Sequence, residues 1–158
     1  MFSKALPSLL VALVLASLTS AHFTLNSPKS RIIDEAKETS FCGGVPTLTE
    51  SERTDFPLSA PATVSITSYN DTAHVAIILS VERDPTELSH FKTKGKFNYL
   101  MNFVEIKGQE TFTFTVNISH LKDRFQKSPL KAGDYATIQV EYNGGGEPLY
   151  QCADVILV

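Results

Sequence analysis

Strict alternation of apolar and polar residues constrains the fold of this chain more than any other feature. Every second side chain in residues 111–118 is apolar, and threonine or asparagine lies between them. Because successive side chains of a β-strand point to opposite faces, this period of two predicts a half-buried strand. The same pattern, interrupted by Gly, Asn and Asp turn signals, predicts further strands at Ala62–Tyr69, Ala73–Val81, Tyr135–Tyr142 and Tyr150–Val158.

The remaining segments leave little room for helix. Phe97–Ile106 is apolar without a clean period and is interpreted as a strand, whereas residues 119–131 could hold a short helix around Leu121–Phe125. Residues 22–61 contain four prolines, which predict a long extended start with loops. Residues 34–38 are interpreted as a solvated loop, with one helical turn as the alternative. Short strands with little helix indicate an all-β antiparallel β-sandwich with a long N-terminal loop region.

The first 21 residues have the pattern of a secretory signal peptide. Lys4 precedes the apolar block Ala5–Leu18, and small residues ending at Ala21 follow it. This order matches a charged start, an apolar middle and a cleavage site. We therefore expect a secreted chain with one domain at residues 22–158, whose 137 residues are enough for one core and too few for two.

Cleavage after Ala21 would make His22 the first residue of the mature chain. A terminal histidine offers an amine and an imidazole nitrogen to one metal ion in a single chelate ring. The alternatives are cleavage a residue or two away and a histidine placed there by chance. His74 is the favoured third nitrogen ligand because it begins a rigid strand, whereas His90 and His120 are interpreted as surface residues.

An oxygen ligand is predicted in the last strand. Asp154 is a single carboxylate in an otherwise apolar segment, and an unpaired buried charge there would be costly. A metal ion, an arginine or backbone amides could each serve as its partner. Tyr150, four residues earlier on the same strand face, is a weaker candidate for an axial phenol.

The chain contains only two cysteines, Cys42 and Cys152. In an oxidising compartment they most simply form one disulfide, and metal binding through cysteine would need more ligands at closer spacing. The sequons at Asn70 and Asn117 predict N-glycosylation, although so short a motif is often unused.

Charge and composition exclude several classes of function. Residues 1–21 contribute one lysine and no acid, so their removal changes the formal net charge from −3 to −4. This balance argues against a nucleic acid partner. The chain has no tryptophan to form a flat platform for sugars and no second apolar stretch of membrane-spanning length. We expect an exported, soluble monomer without a transmembrane helix.

Both ends of the expected mature chain resemble one protein family. The start has His-Phe-Thr-Leu-Asn-Ser-Pro at residues 22–28 and Phe-Cys-Gly-Gly at residues 41–44. Towards the end, Gly-Asp-Tyr-Ala-Thr-Ile-Gln-Val occupies residues 133–140, and Leu-Tyr-Gln-Cys-Ala-Asp occupies residues 149–154. These segments resemble the fungal copper-acquisition-factor-like proteins, which are relatives of the lytic polysaccharide monooxygenases.

The resemblance implies an immunoglobulin-like β-sandwich that holds one copper ion in a histidine brace. His22 would bind through its amine and side chain, His74 through its side chain, and Asp154 would add a carboxylate. The resemblance also implies that Cys42 and Cys152 form a family disulfide. Relatives often have more cysteines and a lipid-anchor tail, which this sequence lacks.

The predicted function is extracellular Cu(II) binding in copper acquisition or homeostasis, without polysaccharide cleavage. Nitrogen and oxygen ligands in a tetragonal arrangement suit Cu(II), whereas a carboxylate should disfavour the Cu(I) state that oxidative cleavage needs. The alternatives are a monooxygenase-like copper enzyme and a metal-free cell-wall or adhesion β-sandwich. A cell-surface copper transporter is the expected partner, and the protein could associate with the cell surface.

Overall fold

The computed structural model describes residues 22–158, so the predicted signal peptide lies outside the described residues. Their strands are β1 (Phe23–Ser27), β2 (Thr54–Phe56), β3 (Ala62–Ser68), β4 (Thr72–Ser80), β5 (Lys92–Thr93), β6 (Lys96–Phe97), β7 (Tyr99–Lys107), β8 (Thr111–Val116), β9 (Tyr135–Asn143) and β10 (Leu149–Leu157). Short 3-10 helices occupy Glu35–Lys37, Phe41–Gly44, Glu50–Glu52, Leu88–Phe91 and Ile118–Arg124. None of the helices described is long and apolar enough to cross a membrane.

Two sheets enclose one main core. The smaller sheet has the order β1-β3-β8 and the larger has the order β2-β10-β9-β4-β7, while β5 and β6 form a separate hairpin. All pairs are antiparallel except β2 with β10, which is parallel. Side chains from both sheets meet in one buried cluster. The predicted all-β antiparallel sandwich is therefore confirmed, with one parallel pair at an edge.

The alternating apolar and polar residues of the sequence correspond to alternating buried and more exposed side chains in the strands. In β3, Val64 and Ile66 are fully buried, and the polar residues between them face outward. The apolar segment predicted as a strand at Phe97–Ile106 covers the last residue of β6 and most of β7, which are separated by the buried Asn98. The side-chain amide of Asn98 donates to the carbonyl of Leu79 on β4, and its backbone carbonyl accepts from the N–H of Leu79.

The N-terminal region contains more regular structure than its prolines predict. β1 pairs with β3, and its residues Phe23 and Leu25 lie in the main core. The interpretation of residues 34–38 as a loop was wrong in part, because Glu35–Lys37 form a 3-10 turn. The Asp34 carboxylate stabilises this turn by accepting from the backbone N–H of Ala36.

A disulfide joins Cys42 to Cys152, as predicted, and attaches the N-terminal region to the outer face of β10. Both cysteines pack with Ile78 and Phe91 in a second buried cluster on that face. Gly43 follows with a φ of +67°, and a β-carbon there would lie 3.2 Å from the Tyr150 carbonyl oxygen. Glycine therefore allows the turn to approach β10 closely.

Removal of this disulfide should destabilise the fold strongly. The two cysteines are separated by 110 residues, and a loop of about 100 residues corresponds to about 4–5 kcal/mol in the chain-entropy model. We expect the double variant C42S/C152S to lose about 3–5 kcal/mol of unfolding free energy in urea titrations. The control is wild-type protein with the disulfide reduced, which should behave like the variant. A loss below about 1 kcal/mol would contradict this account.

Candidate functional site

The start of β1 is held in place by a side chain from β10. The Gln151 side-chain amide donates to the carbonyl of Phe23 at 2.7 Å and accepts from the backbone N–H of Leu25 at 2.8 Å. The Phe23 ring stacks on the Tyr142 ring, with centroids 4.8 Å apart. These contacts fix the backbone directly after His22, so the position of His22 is set by the core.

His22 contacts a buried carboxylate. Its Nδ1 lies 2.6 Å from Oε2 of Glu38, whose side chain is only 3% exposed. The other carboxylate oxygen, Oε1, accepts from Nε2 of Gln151 at 2.9 Å. The backbone carbonyl of Glu38 also accepts from the N–H of Tyr150. Glu38 is therefore held rigidly by β10 and presents one oxygen to the histidine.

Glu38 was not among the ligands predicted from the sequence. It is the last residue of the segment 34–38 that was interpreted as a solvated loop, and no local pattern distinguishes it from the exposed Glu35. Its burial results from contact with β10, which lies more than 100 residues away in the chain. A long-range contact of this kind leaves no periodic signal in the sequence.

A surface recess of about 350 Å³ lies beside this pair. The His22 side chain is 28% exposed, and Tyr69 is 52% exposed at the recess wall. The residues that line it are His22, Phe23, Thr24, Ile33, Glu35, Glu38 and Tyr69. The recess gives the imidazole access to solvent while its carboxylate partner stays buried.

His74 lies on the outer face of β4, and its side chain is 57% exposed. Its Nε2 is 3.9 Å from Oε2 of Glu105 on β7. The turn before β4 begins at Tyr69, whose N–H donates to the carbonyl of His22. His22 therefore contacts the start of the β3–β4 turn, and His74 follows that turn as the third residue of β4. Within residues 22–158, however, no three His, Cys, Asp or Glu side chains lie close enough together to hold a metal ion.

Asp154 requires a correction to the predicted ligand set, because its fully buried carboxylate is saturated. Oδ2 accepts from Nε of Arg31 at 2.8 Å and from the N–H of Leu48 at 2.9 Å. Oδ1 accepts from Nη2 of Arg31 at 2.9 Å and from the Thr137 hydroxyl at 2.7 Å. The partners of Asp154 are thus an arginine, a backbone amide and a hydroxyl, so binding a metal would require breaking these bonds.

This hydrogen bonding also determines the protonation of Asp154. Burial by itself raises the pKa of the carboxyl, but the hydrogen bonds from Arg31, Leu48 and Thr137 outweigh burial and lower the pKa below its ordinary value of 3.8. The carboxylate is therefore charged across the neutral and mildly acidic range.

Tyr150, the weaker phenol candidate, lies opposite Glu141 of β9. Burial, and secondarily the negative charge of Glu141, raise the pKa of the Tyr150 phenol, so it is protonated at neutral pH. His120 is exposed, as expected, whereas His90 accepts a hydrogen bond from the N–H of Thr86. None of these residues adds a donor to the recess beside His22.

The two sequons differ in their surroundings. The Asn70 side-chain amide donates to the carbonyl of Gly144, and its oxygen accepts from the Tyr142 hydroxyl. The Asn117 side-chain oxygen caps the following 3-10 helix by accepting from the N–H of Ser119, which leaves the amide nitrogen outside the described hydrogen bonds. Asn117 is therefore better placed than Asn70 to carry a glycan, and glycosylation stays a prediction.

The sequence matches the family model described as copper acquisition factor BIM1-like over residues 20–158. The copper acquisition factor BIM1 of Cryptococcus neoformans var. grubii is 33% identical over 156 residues, which cover 98% of this chain and 68% of that protein. The protein of the same name from Cryptococcus neoformans var. neoformans is 31% identical over 158 residues, with the same shares covered.

Solved structures align with this chain only at lower identity. A lytic polysaccharide monooxygenase from Jonesia denitrificans aligns with a TM-score of 0.45 at 16% identity, covering 87% of this chain and 100% of that chain. A chitin binding domain from Burkholderia pseudomallei aligns with a TM-score of 0.42 at 8% identity, covering 84% of this chain and 82% of that chain.

The variant Asp154→Asn should destabilise the protein because it leaves the buried Arg31 guanidinium without its anion. We expect a loss of about 3–5 kcal/mol of unfolding free energy at pH 6. The matched control is Glu147→Gln, which makes the same chemical change at an exposed carboxylate and should shift stability by about 0.5 kcal/mol or less.

The pH dependence of this loss gives a further check on the ion pair. Folding lowers the pKa of the Asp154 carboxyl below its ordinary value of 3.8. Its contribution to the free energy of unfolding is therefore complete above that pH and is lost as pH falls through the pKa of the folded state. The stability gap between wild type and D154N, measured by urea unfolding, should therefore narrow at the lowest accessible pH. A gap that is the same at pH 6 and pH 2 would contradict the ion-pair account.

Proposed function

The chain belongs to the BIM1-like copper acquisition factor family, and from this we propose that its secreted form binds one Cu(II) ion as cargo at His22. The imidazole would supply one nitrogen, and the amine would supply another once the signal peptide is removed after Ala21. The observation that carries the proposal is the 2.6 Å contact between His22 and the buried Glu38 beside an open recess.

The donor chemistry of this pair fits Cu(II). Copper is the most strongly bound of the divalent first-row metals by nitrogen and oxygen ligands. Glu38 replaces Asp154 as the proposed oxygen donor, because copper binding would exchange the single contact between its Oε2 and Nδ1 of His22 for two metal bonds, whereas Asp154 would lose four hydrogen bonds. His74, the third nitrogen predicted from the sequence, would join His22 and Glu38 only after a movement of its side chain, because no three such side chains of residues 22–158 already lie close enough together to hold a metal ion.

The carboxylate also favours cargo binding over oxidative catalysis. A hard anionic oxygen stabilises Cu(II) relative to Cu(I), so copper held by Glu38 would be a poor centre for redox cycling. The shallow position of His22 would let copper pass to a partner, for which a cell-surface copper transporter is proposed. Secretion is supported by the predicted signal peptide and by the disulfide, which is typical of oxidising compartments.

The first test of the proposal is Cu(II) EPR on protein secreted with its native N-terminus, compared with a version carrying one extra residue before His22. We expect a tetragonal spectrum with nitrogen couplings in the native protein, and loss of this spectrum in the extended protein, because its terminal amine is displaced. Identical spectra from the two proteins would show that the terminal amine is not a ligand and would overturn the proposal.

The role of Glu38 is tested by Glu38→Gln, with Glu35→Gln as the matched control in the same recess. Glutamine keeps the size of the side chain but removes the anionic oxygen. We expect E38Q to weaken Cu(II) affinity by about 10- to 100-fold, and E35Q to weaken it by no more than about 3-fold. Affinities are measured by competition with a chelator, and thermal unfolding checks that both variants fold. Equal affinities would remove Glu38 from the site.

A further inference from the structure

Positive charge is concentrated in one region of an otherwise acidic protein. Residues 92–131 contain eight basic and three acidic side chains, whereas the rest of residues 22–158 contain five basic and fourteen acidic. Lys92, Lys94 and Lys96 lie on the β5–β6 hairpin, and all three are exposed. No carboxylate of the described residues lies within ion-pair distance of these lysines. We call this segment, residues 92–97, the basic hairpin.

The turn of the basic hairpin carries a lysine where its backbone favours another residue. Lys94 has a φ of +52° and Gly95 a φ of +76°, and positive values at both positions are typical of a two-residue hairpin turn that prefers Asn-Gly. A lysine in this conformation is disfavoured locally. Lys94 therefore lies at the hairpin tip although asparagine would suit its backbone conformation better. This favours a role for its charge in binding rather than in folding.

The hairpin is held firmly against the body of the protein. Nη1 of Arg124 donates to the carbonyls of Lys96 at 3.2 Å and Phe97 at 2.8 Å. The Lys92 ammonium lies 4.5 Å from the centre of the Phe97 ring, in cation–π contact. The lysines are thus displayed on a fixed base, and the guanidinium of Arg124 adds a fourth positive charge beside them.

A row of three aromatic rings continues from the hairpin along β7. The centroid of Phe97 is 5.8 Å from that of Tyr99, which is 6.4 Å from that of Phe103. Phe103 is 45% exposed, a large apolar exposure for a strand residue. β7 is an edge strand of the larger sheet, so the row borders an open side of the sandwich. We call these three residues the aromatic row.

We infer that the basic hairpin and the aromatic row form one docking surface for an acidic polysaccharide. The exposed Phe103 ring would contact the apolar face of a sugar ring, while Phe97 and Tyr99, which pack on the second buried cluster, support it, and the lysines would pair with the carboxylates of the same polymer. An anionic membrane fits less well. Its flat surface would also approach the acidic parts of the protein to within the screening length of about 8 Å, where like charges repel each other. A thin polymer contacts the hairpin and the row alone.

This surface is separate from the site proposed for copper. The basic hairpin and the aromatic row do not line the recess at His22, so a polymer bound along β7 leaves that recess open. The consequence is retention of the protein on an acidic polysaccharide matrix while His22 stays accessible. Failure of this inference would leave the copper proposal unchanged, and the reverse also holds.

The test is calorimetric titration with polygalacturonate oligosaccharides, using glucan oligosaccharides of equal length as the neutral probe. We expect binding of polygalacturonate that weakens as salt is raised, and no binding of the neutral glucan. The variant K94N/K96Q removes two charges and places the preferred Asn-Gly at the turn, so its fold is preserved. It should bind about 3- to 30-fold more weakly.

The matched control K29Q/K131Q makes the same change in charge at two exposed lysines outside the hairpin and should shift affinity less than 2-fold. Phe103→Ser should weaken binding without altering its salt dependence, because it removes a ring and no charge. Absence of polygalacturonate binding at low salt, or an equal loss in the control, would overturn the proposal. So would binding to phosphatidylserine vesicles in place of the polysaccharide.

Discussion

The buried ion pair between Arg31 and Asp154 organises the N-terminal third of this protein. Arg31 also donates its backbone N–H to the carbonyl of Cys152, and its Nη1 donates to the carbonyl of Val45. A long segment without a core of its own is thereby attached to β10. A buried charge pair is costly to break because each partner would be left unpaired. The pair therefore holds the N-terminal segment firmly and at one position along β10. The disulfide at Cys42 reinforces the same attachment.

This attachment creates the candidate site. Because residues 31–48 follow the outer face and edge of β10, Glu38 is brought to Gln151, and Gln151 in turn holds the start of β1. His22 then meets a carboxylate that is already oriented and shielded from water. The site therefore needs few residues of its own, since β10 supplies the rigidity that a short surface loop lacks.

The charge distribution separates two surfaces with different chemistry. Carboxylates lie beside His22, where a divalent cation would be attracted, whereas the lysines of the basic hairpin form a distinct positive patch. Clustered charge of one sign concentrates ligands of the opposite sign locally, even when the whole molecule is acidic. The net charge of −3 for the full sequence does not reveal this patch, and composition alone argued only against a nucleic acid partner.

The sequence by itself determined the sandwich, because alternation over a few residues decides which face of a strand is buried, as Val64 and Ile66 show. It also identified the disulfide, since only two cysteines were present, and the family, through the motifs at both ends. Only the tertiary structure decided the partners of Asp154 and the burial of Glu38. These depend on contacts between residues more than 100 positions apart, for which no local periodicity exists.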